Sequence, residues 1–215
     1  MVQVTAIAAT SPNYRHLDKG FLRQWGRYCP GVPVEIFETE QNDWAGSLHR
    51  KVQTIQEPAV VLVMSDYFMM GPADEERLRV AHDLVVGGSC EKCDLTTQVR
   101  YWDHVACDGM VEATQTAQYR QSTQAAVWST QYLLQCLAHG GTPWQWELGG
   151  WSINDGARIR GFRTPVMNYA DVMLKGQAHG FMLCKLVDQD LEELDRIGAL
   201  EGLMDVRTIK KHRSA

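Results

Sequence analysis

Two carboxylates, a cysteine–histidine set and a basic stretch are the residues whose types and spacing could do chemistry. Asp66 follows Ser65 at the point where the apolar run Ala59-Val60-Val61-Leu62-Val63-Met64 stops. A short run of this kind, rich in β-branched residues, preceded by Pro58 and followed by Gly71-Pro72, reads as a strand buried on both faces. Ligands of open α/β sheets bind outside the carboxyl ends of their strands. Asp66 is therefore placed either to work on a ligand or to cap the next turn. Glu147 lies in Pro143-Trp144-Gln145-Trp146-Glu147, just before Gly149-Gly150. A carboxylate against indole rings is partly desolvated, which raises its pKa toward general-base values. The competing reading is a surface Glu after an aromatic packing cluster.

Cys90-Glu91-Lys92-Cys93 is followed, ten residues on, by His104-Val105-Ala106-Cys107. CxxC with HxxC supplies two chelating pairs for a structural Zn²⁺. A straight strand over Leu95–Tyr101 would span about 23 Å and hold the pairs apart, so a shared zinc needs the chain to double back between Asp94 and Asp103. Otherwise these are ordinary thiols. Arg158, Arg160, Arg163, Lys175 and Lys185 form a local basic excess in an acidic chain. That suits an anionic ligand such as a diphosphate, or simply a solvated face. No P-loop, dinucleotide-type glycine loop, GxSxG or HExxH occurs, which argues against those enzyme classes.

These residues need a scaffold, and the chain's patterning predicts one. With 215 residues, 45% hydrophobic and 22% charged, it is expected to form one globular domain over residues 1–205, followed by a basic flexible tail over 206–215. The net charge of −5 exerts no global pull toward nucleic acid or membrane. No run approaches the ~18 apolar residues of a membrane span, and Met1–Ala9 lacks a secretory pattern; the expectation is a cytoplasmic protein. Strands are predicted at Val2–Ala8, Val34–Phe37, Val60–Met64 and Leu95–Tyr101, with weaker ones near Arg158–Phe162 and Val166–Tyr169. Helices are predicted over His16–Tyr28, Ser47–Gln56, Asp74–Leu84, Thr123–Ala138 and Leu191–Leu203. The alternation implies an α/β fold with a mostly parallel central sheet flanked by helices and an irregular C-terminal part.

Six segments, in this order, resemble those of small bacterial and phage glycosyltransferases of the GT-A (Rossmann-like) fold. They are Ser11-Pro12-Asn13-Tyr14, Ser65-Asp66-Tyr67-Phe68, Pro72-Ala73-Asp74, Ser122-Thr123-Gln124-Ala125-Ala126-Val127-Trp128, Pro143-Trp144-Gln145-Trp146-Glu147, and Tyr169 with Lys175-Gly176. The resemblance implies transfer of a sugar from a UDP-sugar or other nucleoside-diphosphate sugar to a hydroxyl acceptor. Asp66 would bind Mg²⁺ or Mn²⁺ bridging the donor phosphates. Thr10, Ser11, Tyr14, Ser65, Arg158 and Lys175 would hold the donor. Glu147 would deprotonate the acceptor, and Gln124, Trp128 and Trp146 would shape the acceptor side. Ser65 stands where the pattern carries a first acid, so Asp66 lacks a partner; His179 is the candidate late ligand. The acceptor is either a glycan or a hydroxymethylated pyrimidine in phage DNA, the latter placing the protein in a host cytoplasm. Two other readings stay open at this point: a non-catalytic zinc-bearing interaction module on a degenerate transferase scaffold, and a nucleotidyltransferase.

Overall fold

The computed structural model describes residues 4–96, 104–105, 109–174, 177–178, 180–201, 203, 206 and 208–209. From the amino end, β1 (Ala6–Thr10) leads through a 3-10 turn (Pro12–Leu17) into α1 (Asp18–Tyr28), then β2 (Val34–Glu38), α2 (Trp44–Val52) and β3 (Ala59–Met64). Next come β4 (Tyr67–Met69), α3 (Glu75–Val86), β5 (Lys92–Asp94), β6 (His104–Val105), β7 (Met110–Glu112) and β8 (Ala126–Ser129). The chain continues with α4 (Thr130–Leu137), α5 (Pro143–Leu148), β9 (Ile159–Phe162), β10 (Tyr169–Asp171), β11 (Met173–Leu174), β12 (Gln177–Ala178), α6 (Gly180–Leu183) and α7 (Asp188–Arg196).

Eight of these strands, among the described residues, form one sheet in the order β2-β1-β3-β8-β5-β9-β7-β6. Strands β1, β2 and β3 pair in parallel, as do β5 and β9. Strands β8 and β7 run against the rest. The expected α/β architecture is present, with a mixed, largely parallel sheet.

Successive side chains of a strand face opposite sides, and β3 uses both sides. Val61 and Val63 join one core with Phe21, Trp25, Leu78 and Leu194. Val60 and Leu62 join the other with Trp44, Leu48, Leu133 and Trp146. This is why the run reads as continuously apolar: β3 lies between β1 and β8 with helices over both faces. Helix α1 approaches β4 so closely that a Cβ on Gly20 would fall 2.7 Å from the Phe68 ring. Glycine is required there by space.

Three expected boundaries are corrected. Thr123–Ala138 is not one helix: Ala126-Val127-Trp128-Ser129 is strand β8, and α4 begins at Thr130, with the Ser129 side chain accepting from the Tyr132 N–H. Val127, Leu133, Leu134 and Leu137 fit a helical period, but the open edges of β3 and β5 claim Ala126–Ser129 for the ladder. In place of the strand expected at Leu95–Tyr101, β5 covers Lys92–Asp94 and ends before it; Leu95 and Thr96 are outside any strand, and residues 97–101 lie outside the described ones. Packing also continues past residue 205. Ile209 is fully buried in the first core, so a flexible tail does not begin at residue 206; residues 210–215 lie outside the described ones.

Candidate active site

Strands β1, β2 and β3 end at the same edge of the sheet, and the cleft forms there. Strand β8 runs the opposite way, so the residues before it, Thr123 and Gln124, reach that same edge. The cleft has a volume of about 340 Å³ and is lined by Ser11, Tyr14, Thr39, Glu40, Trp44, Asp66, Tyr67, Thr123, Gln124, Trp144, Glu147 and Asp171, among others. The sequence-predicted Ser11, Tyr14, Asp66, Gln124 and Glu147 thus meet in one cavity.

The missing partner of Asp66 comes from elsewhere in the chain. Strand β10 pairs antiparallel with β4, setting Asp171 opposite Tyr67, and the Val172 N–H donates to the Asp66 carbonyl at 3.0 Å. The two carboxyl groups lie close enough to interact. Burial pushes the Asp66 carboxyl up to about 8, and the neighbouring Asp171 carboxylate adds to the rise. Asp66 Oδ1 is buried and has no hydrogen-bond partner among the described residues. An acidic pair with an unpaired buried oxygen fits a hard divalent cation. Among the described residues no third His, Cys, Asp or Glu completes a cluster, so ligand oxygens or water would fill the remaining positions. His179 and Lys175 lie outside the described residues.

A stability consequence follows from this pair. The folded Asp66 keeps its proton between about pH 4 and pH 8, where the unfolded chain has lost it. Folding is therefore favoured below this window, and the contribution is lost as pH rises through it. The melting temperature of the metal-free protein is expected to fall between pH 5 and 8.5, and Asp66→Asn should flatten that slope. An identical slope in wild type and variant, measured by thermal shift across pH, would contradict the assignment.

Glu147 is held differently from what its indole neighbours suggested. Helix α5 starts at a capping box, in which Thr142 Oγ1 accepts from the Gln145 N–H and Gln145 Oε1 accepts from the Thr142 N–H. Trp146 anchors this short helix: it is fully buried, donates from Nε1 to the Cys136 carbonyl at 3.0 Å, and packs on Trp44 and Trp128. With Trp146 turned into the core, Trp144 and Glu147 face the cleft. Glu147 Oε1 accepts from the Thr123 backbone N–H at 2.5 Å and from Thr123 Oγ1 at 2.8 Å. Tyr67 and Tyr169 stack beneath, with ring centroids 4.2 Å apart. The Tyr67 hydroxyl lies 3.4 Å from Thr123 Oγ1, and the Tyr169 hydroxyl donates to Gln124 Oε1.

Several expected assignments do not survive this geometry. Trp128 and Trp146 are fully buried in the core and do not line the cleft; the exposed Trp144 lines it instead. Thr10 and Ser65 are buried and lie against Asp18; their hydroxyls pull that carboxyl down, but burial outweighs them and raises it. Arg158 stands just before β9, whose direction puts it at the edge of the sheet opposite the cleft, where its side chain donates to the Gly88 carbonyl. Arg160 pairs with Glu112 at 3.0 Å. None of the described residues of the basic stretch lines the cleft.

The zinc set is not assembled either. Cys93 lies opposite Arg160, Arg160 opposite Glu112, and Glu112 opposite His104 across three successive strand pairings. At about 4.8 Å per strand, the backbones of Cys93 and His104 are about 14 Å apart. That is beyond what Zn–S and Zn–N bonds of about 2.0–2.3 Å with these short side chains can bridge. Cys90 and Cys93 are instead buried neighbours in the core; their mutual hydrogen bond lowers the Cys90 pKa and raises that of Cys93. Cys107 lies outside the described residues.

In sequence the chain matches no protein-family model and no curated protein. In structure it is similar to residues 1–349 of S. aureus TarS, solved in complex with UDP-GlcNAc: TM-score 0.54, 12% identity, covering 99% of this chain and 70% of that one. The fold is GT-A-like. More distant matches to this GT-A-like domain are the mannosyltransferase PcManGT from Pyrobaculum calidifontis, solved with GDP-Man and Mn²⁺ (TM-score 0.45, 13% identity, 90% of this chain and 64% of that one), and an apo UDP-glucose pyrophosphorylase (TM-score 0.45, 10% identity, 90% and 81%). No helix of the described residues is long and apolar enough to cross a membrane.

Asp171, Thr123, Trp44 and Trp144 are the site residues that sequence reasoning missed. Trp44 lines the cleft with a buried Nε1–H that has no partner among the described residues, which makes it a candidate donor to a ligand. Thr123 and Trp144 carried a signal, since each sits inside a quoted segment, Ser122–Trp128 and Pro143–Glu147.

Proposed function

We propose that this chain is a glycosyltransferase that moves a sugar from a nucleoside-diphosphate sugar to a hydroxyl acceptor. One observation carries the reading: an acidic pair, buried Asp66 and half-buried Asp171, and a separately held carboxylate, Glu147, line the same cleft at the carboxyl edge of the sheet. The described lining contains Glu40, Asp66, Glu147 and Asp171 and no Lys or Arg. Such a surface repels a diphosphate unless a cation intervenes.

Asp66 and Asp171 are the residues that would hold Mg²⁺ or Mn²⁺. When bound, the ion supplies charge neutralisation for the departing diphosphate. Ser11, Tyr14 and the Trp44 N–H are placed to fix the nucleotide end. Glu147 takes the proton from the acceptor hydroxyl as that oxygen bonds to the anomeric carbon. The anomeric carbon–phosphate oxygen bond breaks, and the nucleoside diphosphate leaves with the electron pair. Thr123 keeps one Glu147 oxygen in place throughout, so the carboxylate need not reorganise.

The test is a screen of UDP- and GDP-sugars for slow hydrolysis and binding with Mg²⁺ or Mn²⁺. Asp171→Asn should weaken donor binding at least about tenfold in the presence of metal, and EDTA should have the same effect on wild type. Release of inorganic pyrophosphate from a nucleoside triphosphate and a sugar phosphate, with no nucleotide-sugar hydrolysis, would identify a nucleotidyltransferase instead.

A further inference from the structure

Glu147 borders two cavities. One is the cleft of Asp66. The other is a pocket of about 250 Å³ formed by residues 117–121 and by the end of α5 with the turn after it. Glu147 is the residue that the two linings share.

This second pocket is rigid. Its backbone is tied by Arg120, which is fully buried and whose five N–H donors are all engaged. Nε donates to the Ser152 carbonyl at 2.7 Å, Nη1 to the carbonyls of Ala113 and Thr114, and Nη2 to Asp155 Oδ1 and the Ala157 carbonyl. Tyr119 is held at φ 57°, a left-handed conformation uncommon outside glycine. Among the described residues Arg120 is the only cation in the lining, and it has no donor left for a phosphate. Glu147 is the only acid. The pocket therefore selects against anionic ligands.

Two further features say what it does take. Gln121 is 2% exposed, its Nε2 donates to the Trp146 carbonyl at 3.0 Å, and its Oε1 has no partner among the described residues. A buried acceptor left unpaired is costly, and a ligand O–H satisfies it. The rim is apolar: Leu148 is 62% exposed and Ile153 46% exposed. A sugar ring presents hydroxyl donors on its edge and C–H groups on its face, matching both.

We infer that this pocket binds the acceptor, and that the acceptor is a neutral saccharide unit with one hydroxyl on Gln121 Oε1, its C–H face on Leu148 and Ile153, and its reacting hydroxyl directed at Glu147. The inference rests on the glycosyltransferase reading and names its acceptor class. A phosphate-rich polymer or DNA, whose reacting sugar or base carries charge alongside it, is disfavoured by a lining without an available cation.

The probes are methyl β-glucoside and methyl β-N-acetylglucosaminide, with hydroxymethylcytosine DNA and glycerol phosphate as anionic comparators. Ligand-observed NMR without donor measures binding directly, and nucleoside-diphosphate release at saturating donor measures transfer. A neutral glycoside should bind and stimulate release. Ile153→Trp, a surface change that fills the pocket, should abolish the NMR signal and raise the glycoside KM at least tenfold. Gln121→Leu should raise it similarly, its fold checked by thermal melting. Glycoside KM values unchanged in both variants, no NMR binding of either glycoside, or stimulation only by the anionic comparators would overturn the inference. Donor binding by calorimetry tests the glycosyltransferase reading separately. Glycoside binding that Ile153→Trp removes, in a protein that binds no nucleotide sugar, would uphold the pocket and sink the donor assignment.

Discussion

Glu147→Gln is expected to lower turnover by about 10²- to 10⁴-fold while nucleotide-sugar binding stays within about twofold of wild type. The substitution is informative because of how Glu147 is held. Its Oε1 accepts two hydrogen bonds from Thr123, and a glutamine carbonyl oxygen can accept the same two. The helix behind it is fixed by Trp146 and the Thr142 capping box, neither of which changes. What is lost is the ability to accept a proton. Turnover measured with donor and acceptor both saturating, beside calorimetric donor affinity, separates this from a binding defect. A fall of less than about tenfold would remove Glu147 from the proton-transfer role and direct attention to another group in the cleft.

Arg120→Ala is expected to destabilise the fold by about 3–5 kcal/mol, the range for breaking a buried ion pair. The arginine side chain is fully buried, while Asp155 is partly exposed. Removing it takes a donor from four backbone carbonyls, at Ala113, Thr114, Ser152 and Ala157, and from Asp155 Oδ1; Thr114 keeps the Ala117 N–H, Ala157 the Gln115 amide and Asp155 Oδ1 the Ala157 N–H. Asp155 retains the Tyr132 hydroxyl at 2.7 Å, so part of the network persists. At about 2–4 °C per kcal/mol for a domain of this size, the melting temperature should drop by about 6–20 °C. A shift under about 3 °C would mean that water replaces the guanidinium without loss. Arg120→Lys should recover only part of the stability, since a single ammonium cannot reproduce a planar fork with five donors.

The legible part of the site was the part built from short local segments. Asp66 closes a strand whose continuous apolar character announces burial on both faces, and Ser11-Pro12-Asn13-Tyr14 closes the strand beside it. Glu147 was found through the motif around it, although the reason given for its reactivity, contact with indoles, was not what the structure provides. Trp146 shows why: in a short helix two tryptophans two positions apart point to different sides, and the chain alone does not say which one faces the core. Trp128 failed for a related reason. Its segment fits a helical period as well as a strand, and only the unpaired edges of β3 and β5 decide between them.

The cysteines illustrate the limit of spacing. CxxC and HxxC are the right residues at the right local intervals, yet β9 and β7 lie between them in the sheet. Strand order is a property of the assembled sheet, and nothing within residues 90–107 encodes it. Arg158 was misassigned by the same blindness, since a strand's direction determines which edge its first residue occupies.

The sequence by itself determined the layered α/β class, the position of Asp66 at a strand end and the ordered set of segments around the cleft, because periodicity and turn chemistry act over a few residues. The tertiary structure alone decided that Asp66 has an acidic partner. Asp171 comes from a distant segment whose pairing with β4 depends on backbone hydrogen bonds between strands far apart in the chain. A second long-range pairing, of β8 with β3, brings Thr123 to Glu147, since an antiparallel strand delivers its first residues to the edge where its parallel neighbours end.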